Sequence, residues 1–120
     1  MFTINKHRFT KIAAIAMVAA TTHANAAFES GNSLLARANL SDPGDDIYFL
    51  GYVVGVADRI TSNPFGTVVC LPSNVTKGQV SAVVRKWLEN NPAMLHYGAD
   101  GLILDALHQS FPCPKKATSK

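Results

Sequence analysis

The sequence lacks the motifs by which enzymes, metalloproteins and nucleotide-binding proteins are usually found. In its 120 residues there is no G-x-S-x-G, Walker loop, H-E-x-x-H, C-x-x-C or Rossmann glycine pattern. Asp105 and His108 could share one face of a predicted helix, but the apolar pattern places both side chains on its solvent side. We therefore predict a binding protein without catalytic activity, without a bound metal and without a cofactor.

An excess of basic charge is also missing once the first 26 residues are set aside. The chain has 11 Lys and Arg against 8 Asp and Glu, and Lys6, Arg8 and Lys11 account for the whole difference. The remaining residues carry eight charges of each sign. A surface without net positive charge gives no reason to expect nucleic-acid binding.

The same N-terminal segment lacks the charge-free run of about 18 strongly apolar residues that a membrane-spanning helix needs. It has a basic start, an apolar stretch over residues 12–20, and an A-x-A site at Ala24 and Ala26. This three-part pattern is typical of a cleaved signal peptide. We predict that residues 1–26 are removed, that residues 27–120 form one mature domain outside the membrane, and that this domain is periplasmic.

Cysteine is scarce as well, with only Cys70 and Cys113 present. An even count in an exported chain favours a disulfide, and a small domain benefits from a covalent link. The alternatives are a metal-binding pair or a nucleophilic thiol. The spacing fits no zinc pattern and no activating partner is evident, so we predict a Cys70–Cys113 bond.

Apolar residues at helical spacing predict four helices with short connections and no β domain. The first covers residues 28–40, capped by Ser30 or Asn32, and the second follows an Asp42 cap. The third starts at a capping box of Thr76 and Gln79 and stops before Pro92, and the fourth covers about residues 99–111. The predicted fold is therefore a small all-α domain of roughly four helices, stapled by one disulfide.

The second helix contains an uncharged stretch over residues 47–57 that is apolar on every side. Such a helix is expected at the centre of a domain or against a partner chain. Gly51 and Gly55 stand four residues apart, which predicts tight packing against another backbone. Residues 60–66, which follow, predict a loop because they are rich in Thr, Ser, Asn, Pro and Gly.

Short motifs spread over nearly all of the mature chain resemble the type VI secretion amidase-immunity proteins, also called the Tai or Rap-type immunity family. Their order and spacing carry the resemblance more than any one of them does. The matching residues are Ser30, Gly31, Asn32, Leu34, Leu35, Leu50, Gly51, Tyr52, Val53, Gly55, Val56, Asp58, Cys70, Leu71, Pro72, Val75, Thr76, Gln79, Trp87, Leu88, Glu89, Pro92, Ala106, Leu107, Phe111, Pro112 and Cys113.

The resemblance implies a small exported helical protein that binds a peptidoglycan-cleaving or related effector in the periplasm, blocks its active site and often forms a homodimer. Many members have a second cysteine pair, at positions that correspond here to about Ala38 and to Phe49. The absence of both cysteines here fits the loss of a whole disulfide relative to those members. The expected partner is a secreted cell-wall hydrolase. The chain itself is expected to form a homodimer.

An inhibitor of this kind needs a rigid body with a projecting element, and two connections between helices fit that need. Aromatic side chains in such connections supply contact area at low entropic cost. The candidate effector-binding residues are Asn63, Phe65, Asn91, Met94, His96 and Tyr97.

A different class, the acid-stress chaperones of the HdeA type, also combines a small periplasmic helical fold with one long-range disulfide. Those proteins expose client-binding surface when their carboxylates are protonated. With eight acidic residues and no acidic excess, this chain fits that class less well. A neighbouring gene for an exported hydrolase would favour immunity.

Overall fold

The computed structural model describes residues 27–63 and 68–115. Within those ranges the chain is helical and contains no strand, which confirms the predicted all-α fold of four helices. The elements are α1 (Gly31–Ala38), α2 (Pro43–Thr61), α3 (Lys77–Asn90), a 3-10 turn (Pro92–Met94) and α4 (Ala99–Ser110).

Side-chain caps determine where the first three helices begin. Ser30 accepts a hydrogen bond from the Ser33 amide at 3.2 Å, and this cap starts α1 at Gly31 rather than at the predicted residue 28. Asp42 caps α2 through the Gly44 amide at 2.7 Å. The Thr76 and Gln79 capping box forms as predicted. Each cap satisfies amides that have no partner inside the helix.

The core lies where α2, α3 and α4 meet. The predicted inner face of α4 is confirmed, because Ala99, Leu102, Ile103, Ala106 and Leu107 are all buried. The largest fully buried side chains are Phe49, Leu34, Leu88, Leu102, Ile103, Leu107, Val53, Val69 and Val84.

Helix α2 contacts α1, α3 and α4, so its predicted central position is confirmed. It is not buried all round, however, and Ile47 on its outer side is 70% exposed. The predicted tight packing at Gly51 and Gly55 is wrong for the described part of the chain, because a Cβ at either position would meet nothing within 4 Å. The loop predicted from residue 60 also begins later than expected, because α2 continues to Thr61. Ile60, in this last turn, packs against the core.

The predicted disulfide joins Cys70 to Cys113, with a Cα–Cα distance of 4.8 Å. An antiparallel bridge between Val69 and Pro112 lies beside it. The Cys70 amide donates to the Phe111 carbonyl at 2.9 Å, and the Cys113 amide donates to the Val68 carbonyl at 3.1 Å. The segment before α3 is thereby fastened to the end of α4 both covalently and by backbone hydrogen bonds.

A second bridge joins Ser30 to Gly98 without a covalent bond. The Gly31 amide donates to the Tyr97 carbonyl at 3.0 Å, and the Asn32 amide donates to the Leu95 carbonyl at 2.8 Å. There is no room for a side chain at Gly31, because a Cβ would lie 2.5 Å from Leu102 Cδ1 and 3.0 Å from the Leu95 backbone. Close backbone approach therefore holds α1 to the segment before α4.

None of the helices in residues 27–63 and 68–115 combines the length and the apolar character that a membrane span requires.

Candidate functional site

The connection between α3 and α4, residues 91–98, is held in one shape by its own hydrogen bonds. The Asn91 side-chain amide donates to the Trp87 carbonyl at 2.7 Å and so closes the end of α3. The Met94 amide donates to the Asn91 carbonyl at 3.0 Å, and the Tyr97 amide donates to the Met94 carbonyl at 3.0 Å. Asn91, a predicted binding residue, therefore serves as a helix cap.

Leu95 anchors this connection, because its side chain is buried in the core while its carbonyl binds the first turn of α1. Its neighbours point outward. Met94 is 36% exposed and Tyr97 is 53% exposed, and the rings of His96 and Tyr97 lie 4.0 Å apart between centroids. The structure thus brings three of the predicted binding residues together on one hydrogen-bonded segment.

These side chains line an open cleft of about 760 Å³ between the connection and the first turns of α4. Met94, His96 and Tyr97 supply its apolar and aromatic part, and Asp100 and Asp105 supply carboxylates. Its remaining lining residues are Ala27, Ser30, Gly98, Gly101 and Leu102. No Lys or Arg side chain is among them. Because the cleft is open to solvent, this surface suits contact with a protein partner rather than enclosure of a small molecule.

A charged cluster behind the cleft joins the start of α1 to α2. Tyr48 donates a hydrogen bond to the Glu29 carboxylate, and the Arg37 guanidinium lies 4.3 Å from the centre of the Tyr48 ring while pairing with Asp45 at 3.0 Å. Burial acts to raise the pKa of Glu29, but Ser33, Tyr48 and the Arg37 charge together bring that pKa below its ordinary value. Glu29 is therefore a carboxylate at neutral pH.

The pKa values of two tyrosines in and beside this cluster are raised. The pKa of Tyr48 is raised, first by its hydrogen bond to Glu29 and then by burial. Burial raises the pKa of Tyr52, and the negative charges of Asp100 and Glu29 raise it further.

The other predicted binding segment lies elsewhere. Asn63 is half-buried just beyond the end of α2, and Phe65 lies outside the described residues. Tyr48, in the second turn of α2, lies near the cleft, since it binds Glu29 and the Glu29 carbonyl accepts from Ala99. At about 1.5 Å per residue, α2 continues for about 20 Å from Tyr48 to its end at Thr61. The structure does not bring Asn63 together with the connection.

Asp105 and His108 are exposed on α4, on the solvent side that the apolar pattern indicated. Across residues 27–63 and 68–115, no group of three His, Cys, Asp or Glu side chains is close enough to hold a metal ion.

Sequence reasoning missed the residues that shape the far side of the cleft. Asp100 and Gly101 belong to the first turn of α4. An acidic residue at that place is already explained by its favourable interaction with the helix dipole, so the sequence contains no sign of a binding role. Ala27 and Ser30 reach the cleft only because the Ser30–Gly98 bridge brings them there. No local pattern could have signalled that contact between residues so far apart in the chain.

A family model described as Rap1a immunity proteins matches residues 30–113. The match covers all four helices, both cysteines and most of the cleft lining. The comparisons with curated proteins and with solved structures give no significant match.

Proposed function

The chain belongs to the Rap1a immunity protein family, and on that premise we propose that it protects a bacterium from a type VI secretion effector that cleaves the cell wall. The effector is a peptidoglycan amidase or a similar hydrolase, and the chain inhibits it by binding, without catalysing a reaction. The observation that carries this proposal is the family match over residues 30–113. The Tai and Rap-type motifs in the sequence support the same conclusion.

We propose the periplasm as the place of action, after removal of residues 1–26. The signal-peptide pattern and the Cys70–Cys113 disulfide both support export to an oxidising compartment. Intact-mass measurement on periplasmic extract should give a chain that begins at Ala27. A periplasmic mass that still includes Met1 would contradict the proposed cleavage.

The connection between α3 and α4 is the proposed effector-binding element. Because its backbone is already fixed by hydrogen bonds, little conformational entropy is lost when it enters a cleft of the effector. Met94, His96 and Tyr97 then supply apolar and aromatic contact area. Such an inserted segment blocks a hydrolase by excluding its substrate.

The test is a binding titration of the mature protein with the product of a neighbouring gene for an exported hydrolase, together with a peptidoglycan digestion assay. Tyr97→Ala should weaken binding by more than about 1 kcal/mol, or roughly fivefold. Its thermal stability should change little, because the hydrogen bonds of Tyr97 to Met94 and Gly31 come from its backbone. Leu40→Ala is a matched control, since Leu40 is 55% exposed and lies away from the cleft.

Tyr97→Ala could bind fully while substitution of Asn63 or Phe65 abolishes binding. That result would assign the effector-binding site to the segment that follows α2. Absence of both binding and inhibition would overturn the proposal for that hydrolase.

We also propose that two copies of the chain form a homodimer, as the family resemblance implies. The exposed, uncharged side of α2 supports this assembly.

A further inference from the structure

The first residue of the proposed mature chain lies in the wall of the cleft. Ala27 lines the cleft together with the connection between α3 and α4. Its place is set by the backbone that follows, because the Glu29 carbonyl accepts a hydrogen bond from the Ala99 amide at 2.9 Å. Next to it, Ser30 forms the bridge to Gly98. The backbone nitrogen of Ala27 itself donates no hydrogen bond within the described residues. Removal of the signal peptide would therefore leave a new chain end at the cleft.

Gly98 allows Ala27 and Asp100 to come close to each other. A Cβ at Gly98 would lie 2.9 Å from Asp100 Oδ1 and 3.0 Å from the Ala27 Cβ, so a side chain there would displace one of them. The φ of Gly98 is −61°, which any residue can adopt. Its missing side chain is thus explained by limited space and not by an unusual backbone conformation. The carboxylate of Asp100 is consequently a neighbour of the new chain end.

The surroundings of Ala27 are rich in negative charge. Asp100 and Asp105 both line the cleft. Glu29, two residues after Ala27, is 8% exposed, and its Oε1 is buried without a hydrogen-bond partner within the described residues. Besides burial, the negative charges of Asp100 and Glu29 raise the pKa of Tyr52, so both carboxylates lie near that side chain. A cation at the Ala27 nitrogen would be attracted by this group of carboxylates.

The other charges near the chain end leave Asp100 as the main partner for a cation at Ala27. Arg37 pairs with Asp45 and does not line the cleft. His96 is the one cleft-lining residue that can carry a positive charge, and its ring contacts a neighbouring tyrosine ring. The dipole of α4 places about half a positive charge at its first turn, which is less than the full negative charge of Asp100. The net interaction with a cation at the chain end is therefore attractive.

We propose that removal of the signal peptide creates an ammonium group at Ala27 that pairs with the Asp100 carboxylate, so that processing completes one wall of the cleft. Hydrolysis of the Ala26–Ala27 peptide bond consumes one water, leaves a carboxylate on Ala26 and converts the Ala27 amide nitrogen into the ammonium. An α-amino group with a pKa of about 7.7–8.0 is mostly protonated at neutral pH. In the uncleaved chain, the residues before Ala27 continue from the cleft wall and restrict the access of the effector. The inference rests on the proposed cleavage and effector binding, and it makes the chain fully active only after export.

The pKa of the Ala27 α-amino group tests the ion pair without any effector. NMR titration of the disulfide-bonded protein that begins at Ala27 measures this pKa. An exposed ion pair should raise it by about 0.5 above the ordinary value, and Asp100→Asn should abolish that increase. Asp105→Asn is the matched control, because it removes the same charge from α4 about 7 Å further along the helix. It should change the pKa by less than half as much.

Two outcomes of this titration would overturn the ion pair. One is an equal pKa of the Ala27 amino group in the wild type and in Asp100→Asn. The other is an equal decrease in Asp100→Asn and Asp105→Asn, because a general negative potential would then explain the result without a specific pair.

A chain that carries two extra residues, Gly-Ser, before Ala27 tests the processing step. It keeps an ammonium group but moves it away from Asp100, and it should bind the effector at least about fivefold more weakly than the chain that begins at Ala27. The same two residues added after Lys120 are the control and should leave binding unchanged. Equal binding by the chain extended before Ala27 would overturn the processing step. A wild type that binds no exported hydrolase would overturn the proposed function and this step together, while the pKa of Ala27 would still decide the ion pair.

Discussion

Two long-range links close this small domain, and they are built from different chemistry. One holds Cys70 to Cys113 by a disulfide beside the Val69–Pro112 bridge. The other holds the start of α1 to residues 95–99 by the Ser30–Gly98 bridge, by backbone hydrogen bonds and by close approach at Gly31. The disulfide acts largely by restricting the unfolded chain, whereas the second link depends on native packing. The stabilisation from the covalent link therefore depends less on native packing than the stabilisation from the noncovalent link does.

The comparison also shows how α1 is held to α2 by noncovalent contacts alone. Ala38 and Phe49 lie at about the positions where the family resemblance implies a second cysteine pair, and both side chains are buried in the core, at 4% and 1% exposure. Arg37 adds an ion pair to Asp45 and a contact with the Tyr48 ring. Packing and a polar cluster thus connect α1 to α2 in this chain. We expect α1 to respond to packing changes more than α3 and α4 do.

The largest effect should come from breaking the covalent link. Cys113→Ser opens a loop with a sequence separation of 43 residues, which should lower the free energy of unfolding by about 4 kcal/mol. Chemical denaturation of the oxidised wild type and of the variant measures the loss. Wild-type protein treated with reductant should match the variant. A loss below about 1 kcal/mol would mean that the backbone bridge is sufficient at this end.

A smaller effect is expected when the noncovalent link is overpacked. Gly31→Ala should lower the free energy of unfolding by about 2 kcal/mol, because the added Cβ meets the buried Leu102 side chain and the Leu95 backbone. Gly101→Ala makes the same change in open space and should stabilise the fold slightly. Denaturation of both variants measures the difference. Equal stabilities would show that the close approach at Gly31 relaxes freely.

The smallest effect on stability should come from a change in the charged cluster of Glu29, Arg37, Asp45 and Tyr48, and this effect should depend on pH. Tyr48→Phe removes a hydrogen bond to the Glu29 carboxylate and should lower the free energy of unfolding by about 1 kcal/mol at neutral pH. The folded pKa of Glu29 lies below its ordinary value of 4.5. The stabilisation that ionised Glu29 contributes to the folded state is therefore fully present above pH 4.5. It is lost as the pH falls through the folded pKa.

The difference between Tyr48→Phe and wild type should consequently shrink toward about pH 3. Tyr97→Phe is the control, because the hydroxyl of Tyr97 has no hydrogen-bond partner within the described residues. Denaturation curves at the two pH values measure both variants. A Tyr48→Phe effect that stays constant with pH would show that the ionised Glu29 is not its cause.

Local sequence patterns predicted most of the fold because their physical causes are local. A side-chain oxygen at Ser30, Asp42 or Thr76 binds amides two or three residues away, so a short window of sequence contains the whole interaction. The inner face of α4 follows from helical spacing for the same reason. The disulfide could be predicted because a chain with two cysteines allows only one intramolecular pairing.

The binding role of the candidate residues stays a prediction, and the structure shows only where they lie. Met94, His96 and Tyr97 line one cleft, since they are neighbours in sequence, whereas Asn91 caps α3 and Asn63 does not line the cleft. The acidic side of the cleft was not foreseen. Asp100 comes next to Tyr97 because α4 starts directly after the connection, and Asp105 depends on the direction in which α4 then runs.

By itself, then, the sequence determined the caps of α2 and α3, which residues line the inner face of α4, which cysteines pair and which family the motifs resemble. Only the tertiary structure decided that α2 leaves one side uncovered, that Gly31 has no room for a Cβ while Gly51 and Gly55 do, and that Glu29 meets Tyr48. The physical reason is the range of the interactions. Caps and helical spacing act over a few residues, whereas the space around a side chain depends on elements that come together only when the chain folds.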